Sequence, residues 1–175
     1  MFEIQPMDAT SFRQQTRRST VIIAVLFLVL AMLFSSAAVA LFGEPGGDNL
    51  RFNVGGVFLA FLLTAALLRG RFWHQSWMAP AVYGWRLKRN LMSITNVMHH
   101  VTAAVENNDP TAMKVLRFYH LGLMQMHELD GNSSDHGQLF REVEAHKERM
   151  QALGLELDQP RLDPQWLETL KPASR

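Results

Sequence analysis

Histidine is the residue type in this chain best suited to metal or proton chemistry, and seven are present: His74, His99, His100, His120, His127, His136 and His146. His120 and His127 lie two helical turns apart and could share a helix face, with Glu128 and Asp130 nearby, so they are weak candidates for metal ligation. A metal site needs three or four converging ligands. No His-Glu-x-x-His, His-x-x-x-His or Glu-x-x-His spacing occurs, and ordinary core and surface histidines are the better reading. The absence of cysteine excludes thiolate catalysis, cysteine-ligated zinc, iron–sulfur clusters and a disulfide framework. Gly46-Gly47 and Gly55-Gly56 have neither the strand–turn–helix setting nor the lysine of a phosphate loop. No Gly-x-Ser-x-Gly elbow is present. The residues therefore predict no catalytic group and no cofactor, and the chain leans away from being an enzyme.

The elements that would position any such residues are set by an uneven distribution of charge. The whole chain has 175 residues, a net charge of +1 and a pI near 8.2, which gives no general case for nucleic-acid binding. Its mean hydropathy of −0.02 resembles that of a soluble protein. No charged side chain lies between Arg18 and Glu44, and Val21 to Phe42 is a 22-residue run with only Ser35 and Ser36 polar. As a helix it would be roughly 33 Å long, against a hydrocarbon core of about 30 Å. A second charge-free run of 17 residues, Phe52 to Leu68, lies between Arg51 and Arg69, which can snorkel and lengthen it. The sequence predicts transmembrane spans over about 21–42 and 52–68, with a breaker-rich turn over 43–51.

Small residues offer a seam for this hairpin. Gly56, Ala60 and Thr64 recur every four residues on the second helix, and Ser36 and Ala40 do so on the first. Such spacing lets backbones approach closely where apolar burial drives little association. A basic region, an apolar run and Ala38-Val39-Ala40 also imitate a secretory leader. The length of the basic region and the continuation through Leu41-Phe42 favour a span.

Arg13, Arg17 and Arg18 precede the first span, and the turn carries Glu44 and Asp48 against Arg51. Arg69, Arg71, Arg86, Lys88 and Arg89 follow the second span with no acidic residue among them. The positive-inside rule then predicts a multi-pass protein with both termini cytoplasmic. Trp73 and Trp77 join these basic residues in a collar over 71–89 that anchors at headgroup depth. A specific anionic-lipid site is the sharper alternative to a generic anchor.

The remaining chain, 90–175, reads as a cytoplasmic helical domain with eight Lys/Arg against twelve Asp/Glu, a local charge of −4. Pro80 should bend the helix emerging from the membrane. From Ala81 a helix follows, with Leu87, Leu91, Ile94, Met98 and Val101 as its buried stripe. Asp109-Pro110 opens the next, over Thr111 to Leu129. Asp135 with Gln138 forms a candidate capping box, Gly154 ends the helix that follows, and Asp163-Pro164 starts a short last one. No strand pattern appears, so the whole chain is expected to be all-α, with 1–19 as an N-terminal segment and 20–70 as the hairpin.

The runs Trp77-Met78-Ala79-Pro80-Ala81-Val82-Tyr83-Gly84-Trp85-Arg86-Leu87-Lys88-Arg89 and Arg117-Phe118-Tyr119-His120-Leu121-Gly122 resemble an uncharacterised family of small gammaproteobacterial inner-membrane proteins. Met1-Phe2-Glu3-Ile4 and Phe42-Gly43-Glu44-Pro45-Gly46-Gly47 are similar too. The resemblance spans essentially the whole chain and implies location without assigning any residue a role. The expected function is a membrane-anchored, non-enzymatic interaction or scaffold protein, with the lipid bilayer and an unidentified protein as partners. Two alternatives stay open: an accessory subunit of a transport or respiratory complex, and a metal-dependent or lipid-headgroup enzyme.

Overall fold

The computed structural model describes residues 1–131 and 137–170. Among them are seven α-helices: α1 (Ala9–Phe42), α2 (Leu50–Leu67), α3 (Ala79–Thr95), α4 (Met98–Glu106), α5 (Pro110–Asp130), α6 (Gly137–Ala152) and α7 (Pro164–Leu170). The protein is all-α: two long apolar N-terminal helices packed as a hairpin, then a helical bundle. Residues 14–82 form one compact unit, and residues 1–13 form the other with the chain from Tyr83 onward. The N-terminal segment is thus divided, and its first thirteen residues belong with the bundle.

In the hairpin unit, α1 and α2 are joined by a turn that the Asn49 side chain closes. Its Oδ1 accepts from Glu44 N at 3.0 Å and its Nδ2 donates to Glu44 O at 3.1 Å. α2 passes into a widened helical turn at Leu68–Phe72 and then a short 3₁₀ segment at Ser76–Met78. The bend expected at Pro80 thus comes before it. Pro80 itself lies in the first turn of α3, where a missing N–H is harmless.

In the bundle, α5 is central, packing against α4, α6 and α7. Its Met113, Val115 and Phe118 are fully buried among Leu87, Leu91 and Ile94 of α3, Val101 of α4 and Met150 of α6. α5 starts as its sequence dictates: Asp109 Oδ1 accepts from Ala112 N at 2.8 Å, with Pro110 at the first helical position. Asp163 Oδ1 likewise accepts from Gln165 N at 2.9 Å before α7. Gly154 takes the left-handed conformation (φ +68°) after α6. The Asp135–Gln138 capping box and His136 lie outside the described residues.

Two features depart from the expected pattern. The helix expected from Ala81 breaks between Thr95 and Met98. Thr95 Oγ1 bonds back to Leu91 O at 3.0 Å, and the Thr95-Asn96-Val97 run is poor in helix formers. Most of the expected stripe stays inside regardless: Leu87, Leu91, Ile94 and Val101 are buried, while Met98 is half-buried and its neighbour Val97 is buried instead. A two-residue antiparallel ribbon pairs β1 (Phe2–Glu3) with β2 (Arg161–Leu162). Ile4 N extends it by donating to Pro160 O at 2.8 Å, and Arg161 Nε meets Glu3 Oε1 at 3.2 Å.

Tyr83 and Arg13 complete the docking of the N-terminal strap. The Tyr83 hydroxyl accepts from Gln5 N at 3.0 Å and donates to Gln125 Oε1 at 2.5 Å. Arg13 Nη1 reaches Glu128 O at 3.2 Å and Leu129 O at 3.4 Å, satisfying carbonyls at the end of α5.

Candidate functional site

Two groups of residues carry the interest, one in each unit. In the hairpin, Gly56, Ala60 and Thr64 are buried in a row along α2. A Cβ on Gly56 would lie 2.5 Å from both Cα and N of Ser35, so only glycine permits this backbone approach. The α1 side of the seam differs from the expected one. Ser36 and Ala40 are exposed, while Ala31 is buried and Ser35 half-buried. The physical reason is that α1 from Val21 onward is apolar over nearly its whole circumference, so that stretch carries no face preference. The approach of Gly56 to Ser35 decides the rotation. Ser35 Oγ also donates to Asn53 Oδ1 at 2.6 Å, and Thr64 Oγ1 returns its proton to Ala60 O at 2.8 Å. Both hydroxyls are therefore satisfied without water.

At the foot of the hairpin, the Arg69 guanidinium lies 5.9 Å from the Trp73 ring centroid, and Phe72 packs on Trp77 at 5.5 Å. Ser19 Oγ, buried on α1, sits 2.7 Å from Trp77 O and ties this aromatic segment to the start of the apolar run. Arg71 is exposed, and its carbonyl accepts from Gln75 Nε2 at 3.4 Å.

In the bundle, the polar group is Arg117, His120 and His146, all buried. The His120 and His146 rings meet edge-on with centroids 5.3 Å apart. His146 Nε2 lies 3.0 Å from Met113 O and so serves as the donor, while Arg117 Nε donates to Leu157 O at 2.9 Å. Arg117 Nη1 and His120 Nδ1 have no hydrogen-bond partner among the described residues. Burial holds His120 at about 4, with the neighbouring His146 and Arg117 pushing the same way. Burial also lowers His146, partly opposed by its bond to Met113 O. Burial lowers Arg117, opposed by Glu144 and Asp158. The cluster holds two neutral imidazoles at neutral pH beside a guanidinium.

The ancestry of the chain follows from its extent of match: the model of a protein of unknown function, DUF3087, covers residues 2–167. The chain belongs to the DUF3087 family. The match takes in the strap, the hairpin and the bundle as far as Leu167. No curated protein and no solved structure matches the chain.

In this DUF3087 protein the histidine pair differs from the one the spacing suggested. His120 faces His146 of α6, and His127 lies half-buried one helical turn from the end of α5. Among the described residues no group of three or more His, Asp or Glu side chains is placed to hold a metal. The bundle unit also carries the last basic residues of the collar. Lys88 Nζ pairs with Asp130 Oδ2 at 3.1 Å, while the Arg89 guanidinium lies 5.1 Å from the Trp85 centroid. Arg86 and Arg89 are exposed. Ser35 and Asn53 were readable as polar residues inside the two apolar runs, whereas Ser19 precedes the first run and carried no such signal. The His120–His146 contact joins two helices and had no local signal.

Proposed function

We propose that this DUF3087 protein is a membrane-anchored, non-enzymatic interaction or scaffold protein of the bacterial inner membrane. Its hairpin crosses the bilayer, its turn faces outward, and both termini and the bundle lie in the cytoplasm. One observation carries the reading. Both hairpin helices are long and apolar enough to cross a membrane, and apart from a few seam residues (Ala31, Gly56, Ala60 and Thr64) their apolar surface is not buried within the protein. Val25, Leu28, Met32, Leu33, Phe58 and Phe61 are all more than half exposed. A core helix of a soluble protein buries that surface in protein; here lipid would cover it. The basic flanks support the orientation, and the resemblance to gammaproteobacterial inner-membrane proteins supports the compartment.

The protein-binding role rests on the bundle's acidic balance and on exposed apolar side chains such as Phe140, which is 56% exposed. Retention of the full chain in membranes after alkaline carbonate washing, with photo-crosslinking from Phe140 in living cells, tests both halves. Membrane retention and a discrete crosslinked protein are expected. Release by carbonate overturns the anchor, and a crosslink-free monomer across growth conditions overturns the scaffold role. A crosslink to a subunit of a transport or respiratory complex would assign the chain as its accessory subunit.

A further inference from the structure

We infer that the outward stripe of α3, built from Trp85, Arg86, Arg89 and Met92, is a contact surface for anionic phospholipid headgroups; this rests on the membrane reading above and names the lipid class. The opposite side of α3 is fully committed, with Tyr83, Leu87, Leu91 and Ile94 buried in the bundle core. Trp85, Arg89 and Met92 follow a 4-3 spacing, which places them in one line along the helix. Trp85 is 47% exposed and Met92 65% exposed, an unusual cost for large apolar side chains on a water-facing helix.

Charge selects the occupant. No acidic residue occurs between Asp48 and Glu106, while Arg51, Arg69, Arg71, Arg86, Lys88 and Arg89 all fall in that interval. Lys88 is occupied by Asp130 at 3.1 Å. Arg86 and Arg89 are left with no salt-bridge partner among the described residues. The Arg89 guanidinium over Trp85 gives a cation and an indole side by side, the pairing suited to the headgroup layer. Trp85 also follows Phe72, the last residue of the widened turn after α2, by only 13 residues. A protein surface would have to supply acidic groups and an apolar pocket together. An anionic bilayer supplies phosphates and an acyl boundary along its whole area.

The chain contains no cysteine, so Met92→Cys in the full-length protein accepts a single environment-sensitive fluorophore at an exposed position. Phe58→Cys, on the exposed side of α2, reports separately on hairpin insertion. Both labelled proteins are placed in nanodiscs of phosphatidylcholine alone and of phosphatidylcholine with phosphatidylglycerol. The Phe58 label should be in an apolar environment in both. The Met92 label should become apolar only with phosphatidylglycerol, and Arg86→Glu with Arg89→Glu should reverse that response, about fivefold in partitioning for each arginine. A Met92 label that stays water-like in both lipids while Phe58 is apolar overturns this inference alone. A water-like Phe58 label overturns the membrane reading and this inference with it. Equal response to both lipids refutes the anionic preference.

Discussion

Gly55 and Gly56 are adjacent and chemically identical, yet only one of them has a neighbour. A Cβ on Gly55 meets nothing within 4 Å, whereas one on Gly56 would strike the Ser35 backbone. Gly56→Ala should therefore destabilise the hairpin by about 1–3 kcal/mol in a detergent unfolding titration. Gly55→Ala should leave the midpoint unchanged; equal effects would contradict the seam. The buried histidines give a pH prediction of definite sign. His120 is held at about 4 when folded and returns to about 6.5 when unfolded. The unfolded chain thus binds the extra proton, and stability is full above about pH 6.5 and falls as pH drops toward 4. The loss reaches about 3 kcal/mol, and hydrogen exchange of the α5 amides should show it. His120→Leu should flatten that slope, while an unchanged slope would remove His120 as its source. The small-residue row on α2 was legible at this scale because its 4-residue spacing survives any rotation of the partner helix. Ser36 and Ala40 were misread because α1 is apolar on nearly every side from Val21 onward. Arg117 stays silent in a sequence, since burial of an arginine depends on helices far apart in the chain.

Each helix of the bundle was legible to the extent that its ends carry local chemistry. Asp109 and Pro110, Gly154 and Asp163 each act within a few residues, and the structure uses all four at the expected positions. Asp109→Ala removes the acceptor for Ala112 N and should cost about 1 kcal/mol of bundle stability. Thermal unfolding checks this, and Asp109→Ser should restore most of the loss. The α3–α4 break was hidden because its apolar stripe continues through it, so periodicity alone saw one helix. The β1–β2 ribbon was hidden for a different reason: two residues have no period, and the pairing joins opposite ends of the chain. Deleting residues 1–5 removes that ribbon and the Gln5 bonds to Tyr83 and Gln125. It should raise hydrogen exchange around Tyr83 and Leu162, while an unchanged exchange rate would show the strap to be dispensable.

At the scale of the molecule, a nearly neutral average conceals an apolar hairpin, a basic stretch after it and an acidic bundle. The division into two compact units has its boundary inside α1 and inside α3, so both connections are helical rather than loops. The central claim is that the hairpin spans the membrane with the bundle inside. Thiol labelling from outside intact spheroplasts tests it most directly, because the chain has no cysteine of its own. Asp48→Cys in the turn should react with a membrane-impermeant maleimide, while Glu168→Cys on α7 should react only after lysis. Labelling of Glu168→Cys in intact spheroplasts, or protection of Asp48→Cys there, would contradict the account.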